Sequence, residues 1–141
     1  MMDIMKDCSY NKLNKIPDYD DIELTIINCS NNKLTSLPEW QHLSKLTEIN
    51  CFDNELTSLP EWQQLSNLTK IYCYNNKLIS LPEWQHLSNL TKINCSFNNL
   101  TSLPEWEKLS NLTEIYCQIN ELNSNKCLQQ PSFITDKTCK Y

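Results

Sequence analysis

The sequence predicts a solenoid that carries a parallel β-sheet along one side. Three observations support this fold class. Leucine recurs at a constant interval of 22 residues, apolar and polar residues alternate after each leucine, and a proline follows at the same place in four of the five units. The leucines are Leu24, Leu46, Leu68, Leu90 and Leu112. A unit of this length cannot bury its apolar side alone, so its copies are expected to stack and share one core.

Each unit is expected to begin with one short strand. In the unit that starts at Leu68, Ile71 and Cys73 alternate with Lys70 and Tyr72. A period of two places one set of side chains in the core and the other set outside it, which is typical of a half-buried strand. We therefore expect parallel strands, one for each unit.

An asparagine follows each strand, where the chain turns. Its side-chain amide can satisfy backbone groups that the turn and the neighbouring unit leave free. We expect these residues to form a stacked ladder: Asn11, Asn32, Asn54, Asn76, Asn98 and Asn120.

The second half of each unit returns the chain to the next strand. Proline fixes φ and donates no hydrogen bond, so it marks the turn into this return segment at Pro38, Pro60, Pro82 and Pro104. About eleven residues leave no room for a long helix, so an extended path or a turn of 3₁₀ helix is expected.

A tryptophan lies two residues after each of these prolines, at Trp40, Trp62, Trp84 and Trp106. Each occupies an apolar position of the unit, which favours packing in the core. The alternative is an exposed aromatic ladder that stacks on bases or sugars.

The pattern Leu68-x-x-Ile71-x-Cys73-x-x-Asn76-x-Leu78 closely resembles the leucine-rich-repeat signature, and the resemblance covers roughly residues 8–122. The second half of four units has the pattern Leu-Pro-x-Trp-x-x-Leu, which is similar to short repeats of bacterial, protist and giant-virus proteins. The resemblance implies an α/β-type leucine-rich-repeat solenoid. It also implies a right-handed superhelix with the parallel sheet on the concave face and extended or 3₁₀ segments on the convex face.

The repeats define the expected domain organisation, which is one domain over residues 1–141. Residues 1–21 are expected to form a degenerate N-terminal repeat or cap, because Cys8 to Pro17 matches later units but the preceding strand lacks its leucine. Residues 22–122 contain four to five repeats. Residues 123–141 lack the Leu-Pro-x-Trp half and are expected to form an irregular cap or tail.

Composition argues against two classes of partner. The net charge is −5 with both signs interspersed, and all basic side chains are lysines, so the bidentate arginine contacts common in nucleic-acid recognition are absent. No apolar run approaches the roughly 18 residues of a membrane span. No nucleic-acid or membrane partner is therefore expected.

The first residues show no secretory pattern, which predicts an intracellular, cytoplasmic protein. The lack of glycine, alanine and valine suggests an AT-rich genome, such as that of a protist or a large DNA virus, in which case the location would be the host cytoplasm.

Six cysteines occupy equivalent inward positions and should form one column: Cys8, Cys29, Cys51, Cys73, Cys95 and Cys117. A straight column does not offer the four converging ligands that zinc needs, so no metal is expected. Parallel side chains also disfavour disulfides within the column, which predicts buried reduced thiols. Cys127 and Cys139 lie outside the column, and free thiols are favoured there as well.

No catalytic site is expected. The two histidines, His42 and His86, lie at a position that Gln64 and Lys108 fill in other units, which indicates solvated surface rather than a catalytic base. Without glycine, no phosphate-binding glycine loop can form, so no cofactor is expected. The sequence therefore indicates a protein that is not an enzyme.

Function is expected on the outward strand positions, because these differ between units that are otherwise nearly identical. Aromatic side chains surrounded by charged ones suit a protein or peptide partner. The candidate partner-binding residues are Glu48, Asn50, Phe52, Lys70, Tyr72, Tyr74, Lys92, Asn94, Glu114 and Tyr116. One alternative is a structural or self-associating protein that uses its open ends or its tryptophan rows, with the oligomeric state left open. Another is a divergent family copy with no specific partner, in which the aromatic residues serve only as good strand formers.

Overall fold

A computed structural model of the chain describes residues 2–122 and the backbone of residues 136–138. These residues contain seven short strands: β1 (Met5–Asp7), β2 (Ile26–Asn28), β3 (Glu48–Asn50), β4 (Lys70–Tyr72), β5 (Lys92–Asn94), β6 (Glu114–Tyr116) and β7 (Asp136–Thr138). They form one sheet in chain order, and each neighbouring pair is parallel. Each new strand adds at the same edge of the sheet, so the chain winds as the solenoid that the repeats predict.

The return segments contain no helix, so the expectation of an α/β-type fold is wrong for the described part of the chain. Two tight turns take the place of a helix or of 3₁₀ segments. Leu43 N donates to Trp40 O at 3.0 Å, and Leu46 N donates to Leu43 O at 2.9 Å. A return of this length closes by turns because a helix needs several residues before its hydrogen bonds offset the ordering of the backbone. Within the same residues, no helix is long and apolar enough to cross a membrane.

A single apolar core runs through the stacked units between the sheet and the return segments. The four tryptophans are fully buried, which confirms core packing and rules out an exposed aromatic ladder. Trp62 stacks between Trp40 and Trp84, with ring centroids 6.2 and 5.7 Å apart. Its indole nitrogen also donates to Pro38 O at 3.1 Å, so the ring binds its own repeat to the preceding one.

The predicted asparagine ladder is confirmed for five of its six members, whereas the side-chain amide of Asn11 donates to Ser9 O within its own turn. Asn76 Oδ1 accepts from Leu56 N at 3.0 Å, while Asn76 Nδ2 donates to Cys51 O and Cys73 O at 3.1 Å each. Each amide thus joins backbone groups of two consecutive repeats. The same contacts recur at the equivalent positions Asn32, Asn54, Asn98 and Asn120.

A threonine ladder, which the sequence analysis missed, runs beside the sheet. Thr47 Oγ1 donates to Thr25 O at 3.0 Å, and Thr69 Oγ1 donates to Thr47 O at 2.9 Å. Thr91 and Thr113 continue this pattern. The hydroxyl groups therefore extend the contact between neighbouring units beyond the three-residue strands.

The turn after each strand requires a left-handed backbone conformation although the chain has no glycine. The residues with positive φ at this turn are Tyr10, Asn31, Asp53, Asn75, Phe97 and Ile119. Asparagine and aspartate tolerate this region because their short polar side chains bond locally, whereas bulky side chains are strained there. At this turn Phe97 and Ile119 therefore carry strain that Asn31, Asp53 and Asn75 avoid at the equivalent position.

Described segments near both ends of the chain also belong to the sheet. β1 pairs with β2 in register although its unit lacks the leading leucine. The sequence predicts an irregular cap or tail for residues 123–141, whereas residues 136–138 pair with β6 as a parallel strand.

Candidate functional site

The candidate residues lie on one side of the sheet. In strands β3 to β6 the middle isoleucine is buried, and the residues on either side of it are half-buried or exposed. Alternate side chains of a strand point to opposite sides, so the flanking residues share the side away from the core. We name this surface the outer sheet face: Glu48, Asn50, Phe52, Lys70, Tyr72, Tyr74, Lys92, Asn94, Glu114 and Tyr116.

The parallel register arranges the face in rows that cross the strands. The first row runs Glu48, Lys70, Lys92, Glu114, and the second runs Asn50, Tyr72, Asn94, Tyr116. Phe52 and Tyr74 follow β3 and β4 and begin a third row. The structure thus brings all ten candidate residues together on a single surface.

The first row contains two ion pairs. Lys70 Nζ lies 3.4 Å from Glu48 Oε2, and Lys92 Nζ lies 2.8 Å from Glu114 Oε2. The hydrogen bond from Lys92 lowers the pKa of Glu114, and the same bond raises the pKa of Lys92. Both groups therefore remain charged at neutral pH.

Aromatic rings pack on one another and on a lysine of the face. The rings of Phe52 and Tyr74 are stacked, with centroids 4.5 Å apart and planes at 6°. Lys92 Nζ lies 5.0 Å from the ring centroid of Tyr116 and 6.0 Å from that of Tyr72. Partial burial of Tyr74 raises the pKa of its phenol. These contacts hold the large side chains in place before any partner arrives, which reduces the entropy lost on binding.

Hydrogen bonds between polar side chains orient the two glutamates of the face. Asn50 Nδ2 donates to Glu48 Oε1 at 2.9 Å, and the Tyr116 hydroxyl donates to Glu114 Oε2 at 3.1 Å. Each glutamate is thus oriented both by a lysine and by a residue of its own strand.

The histidines lie away from this surface, on the return segments. His42 is exposed, and His86 Nε2 lies 3.2 Å from Trp62 O. In the part of the chain that the structure describes, no group of three or more His, Cys, Asp or Glu side chains is arranged to hold a metal ion.

The cysteine column is present, but one member departs from the expected reduced state. Cys29, Cys51, Cys73 and Cys95 are free and buried, and Cys8 is free and half-buried. Burial raises the pKa of Cys29 and of Cys95 to about 12, so these thiols stay protonated. Cys117, in contrast, is disulfide-bonded, which corrects the expectation of six thiols. The prediction for Cys127 and Cys139 lies outside the described residues.

Two exposed apolar residues beside the outer sheet face were missed by the sequence analysis. Phe97 and Ile119 are 50% and 60% exposed. They follow Ser96 and Gln118 at the turn position that Asn31, Asp53 and Asn75 hold in earlier repeats. That replacement of polar by apolar residues was the signal available in the sequence.

Family models match most of the repeat region. The model for leucine-rich repeats in two copies matches residues 22–64 and 44–86, and the model for the single leucine-rich repeat matches residues 89–109. The chain belongs to the leucine-rich repeat family. No curated protein matches this leucine-rich repeat protein significantly.

Solved structures of bacterial leucine-rich repeat proteins are similar in sequence and fold. The Shigella effector LRR domain is 27% identical with a TM-score of 0.72, covering 82% of this chain and 49% of its own. YopM from Yersinia enterocolitica is 28% identical with a TM-score of 0.76, covering 85% and 25%. The functional domain of InlJ from Listeria monocytogenes, described as including a cysteine ladder, is 34% identical with a TM-score of 0.74, covering 84% and 26%. This leucine-rich repeat protein thus spans half or less of the length of each.

Proposed function

We propose that this leucine-rich repeat protein is a non-catalytic interaction module that binds a protein or peptide on its outer sheet face. In this proposal the solenoid is a right-handed superhelix, and the outer sheet face lines its concave side. Solenoids use such extended concave surfaces for recognition because each repeat adds one strand of contact area.

One observation carries the proposal: the outer sheet face holds ordered aromatic and charged side chains at positions that differ between the repeats. Phe52 and Tyr74 form a stacked pair that remains partly accessible. Partly exposed, preorganised aromatic side chains are the residues that most often anchor a protein partner. Strand propensity alone would favour aromatic residues without requiring that they be grouped with ion pairs.

The structural alternative loses one of its two contact surfaces. The tryptophan rows are buried, so they offer no contact for self-association. Association through the open ends of the sheet would leave the outer sheet face free, and substitutions on that face would then have no effect.

The test is a crosslinking pull-down from cells of the source organism or its host, followed by mass spectrometry and reconstitution with the purified partner. The face variant carries F52S, Y72S, Y74S and Y116S. A matched control carries four exposed apolar residues outside the face changed to serine: Y10S, I79S, F97S and I119S. Circular dichroism and urea unfolding verify that both variants are folded.

Wild type and control are expected to capture the same partner, and the face variant is expected to lose it. Capture of the same proteins by all three chains would contradict the proposed function. Loss in the control alone would move the binding surface to the turns.

A further inference from the structure

We propose that the outer sheet face recognises an extended peptide that runs across the strands and carries the charge order basic-x-acidic-x-basic. The inference rests on the proposed function and specifies its partner. It follows from the order and spacing of the charges in the first row of the face.

The charge order of this row is negative, positive, positive, negative. Backbone register places Glu48 beside Lys70, Lys70 beside Lys92 and Lys92 beside Glu114. A complementary partner therefore presents an acidic group over the two lysines and a basic group over each glutamate.

The two central lysines, Lys70 and Lys92, place like charges side by side on neighbouring strands. Like charges side by side on neighbouring strands destabilise a sheet. The carboxylate that pairs with each lysine comes from the strand on its far side, because Glu48 lies on β3 and Glu114 lies on β6. Among the described residues, Glu48 is the ion-pair partner of Lys70, and the charge of Lys70 also contributes to lowering the pKa of Glu114. A partner carboxylate between the lysines would relieve their repulsion.

The spacing of the row matches an extended chain. Three steps between neighbouring strands span about 14 Å from Glu48 to Glu114. In an extended peptide, residues i, i+2 and i+4 point to the same side and also span about 14 Å. A basic residue at i, an acidic residue at i+2 and a basic residue at i+4 would therefore lie over Glu48, the lysine pair and Glu114.

The row is accessible to such a peptide. The side chains of Lys70 and Glu114 are 46% and 40% exposed. Exposed ion pairs contribute little to folding stability, so the lysines can accept an additional carboxylate without loss of the fold. The second row lies beside the first, and its rings Tyr72 and Tyr116 offer apolar contact to the remaining peptide positions.

The experiment exchanges the charge order of the face. A displayed library of random heptapeptides is selected at low salt on the wild-type chain and on the variant E48K/K70E/K92E/E114K. This variant has the same composition and net charge and keeps each lysine beside a glutamate. A matched control, E23K/K45E, reverses an exposed ion pair outside the face. Synthetic peptides of the two charge orders are then compared by fluorescence polarisation.

Wild type and the E23K/K45E control are expected to prefer basic-x-acidic-x-basic peptides at least tenfold, and the exchanged variant is expected to prefer acidic-x-basic-x-acidic peptides. High salt should abolish both preferences because it screens exposed charges. Selected peptides that bind the outer sheet face without this order, or with the same order on both chains, would overturn the inference and leave the proposed function standing. Failure to select any peptide that the F52S/Y72S/Y74S/Y116S variant loses would overturn both.

Discussion

Replacing Asn76 by alanine tests how much the asparagine ladder contributes to stability. The Asn76 side chain accepts one hydrogen bond, from Leu56 N, and donates to the carbonyls of Cys51, Cys73 and Tyr74. Both the asparagine and Leu56 are buried, so water cannot replace these bonds in the folded state.

The four bonds are not equivalent. Cys51 O also accepts from Asn54 Nδ2, and Cys73 O also accepts from Asn98 Nδ2, each at 3.1 Å. These carbonyls therefore keep a partner in the variant. The amide of Leu56 loses the acceptor that Asn76 supplies and becomes a buried donor without a hydrogen bond.

The expected loss follows from these two classes of bond. An unsatisfied buried amide costs about 1–3 kcal/mol, and each bond lost at a carbonyl that keeps another partner costs about 0.5 kcal/mol. The free energy of unfolding should therefore fall by about 3 kcal/mol, which is a large share of the roughly 5–15 kcal/mol of a typical domain.

Asn11→Ala is the matched control, because Asn11 holds the same position in the first repeat but is exposed. Among the described residues, its side-chain amide donates to Ser9 O alone, at 2.8 Å. This substitution should lower the free energy of unfolding by less than about 1 kcal/mol. Urea unfolding of the full chain, followed by circular dichroism and by tryptophan fluorescence, measures both values and tests whether the transition is cooperative. Equal losses in the two variants would refute this account of the ladder.

Three further predictions concern the turns, the tryptophan row and the thiols. Phe97→Asn should raise the free energy of unfolding by about 1 kcal/mol in urea titrations, because asparagine tolerates the left-handed backbone, and Asn75→Phe should lower it; equal stabilities would contradict the strain at this turn. Trp62→Phe should be about 1 kcal/mol more destabilising than Trp106→Phe, because the Trp62 indole donates a hydrogen bond whereas that of Trp106 has no partner among the described residues. A smaller loss at Trp62 would count against that bond. Burial raises the pKa of Cys95 to about 12 in the folded chain. The contribution of the protonated thiol to the free energy of unfolding is therefore fully present below the ordinary thiol pKa and is lost as the pH rises from about 9 to 12. In Cys95→Ser, the free energy of unfolding should fall with pH in that window less steeply than in the wild type, by about 1.4 kcal/mol per pH unit. Urea unfolding midpoints measured as a function of pH give this slope. The same slope in both chains would argue against a protonated buried thiol.

The polar and apolar faces of each repeat were predictable because they depend on local periodicity. Ile71 and Cys73 alternate with outward residues, and the structure buries both. Asn76 has the predicted role because every copy meets the same neighbour one repeat away. The absence of helices was only partly predictable, since the return segment was known to be short but its two turns depend on φ at residues such as Trp40.

The membership of the candidate site was predictable, whereas its internal contacts were not. Sequence alternation placed Lys70 and Lys92 on the outer sheet face, but it did not indicate which glutamate each would pair with. The stacking of Phe52 on Tyr74 was also not predictable, because side-chain rotamers depend on neighbours across the strands as well as on the local backbone.

By itself, the sequence determined the repeat length, the parallel strands, the asparagine ladder and the burial of the tryptophans. These features follow from a repeated local pattern in which the environment of each unit is another copy of itself. Only the tertiary structure decided the ion pairs of the outer sheet face, the strained turns at Phe97 and Ile119, and the disulfide bond of Cys117. These depend on positions where the copies differ or where the array ends, so contacts between particular side chains determine them rather than the period of the repeat.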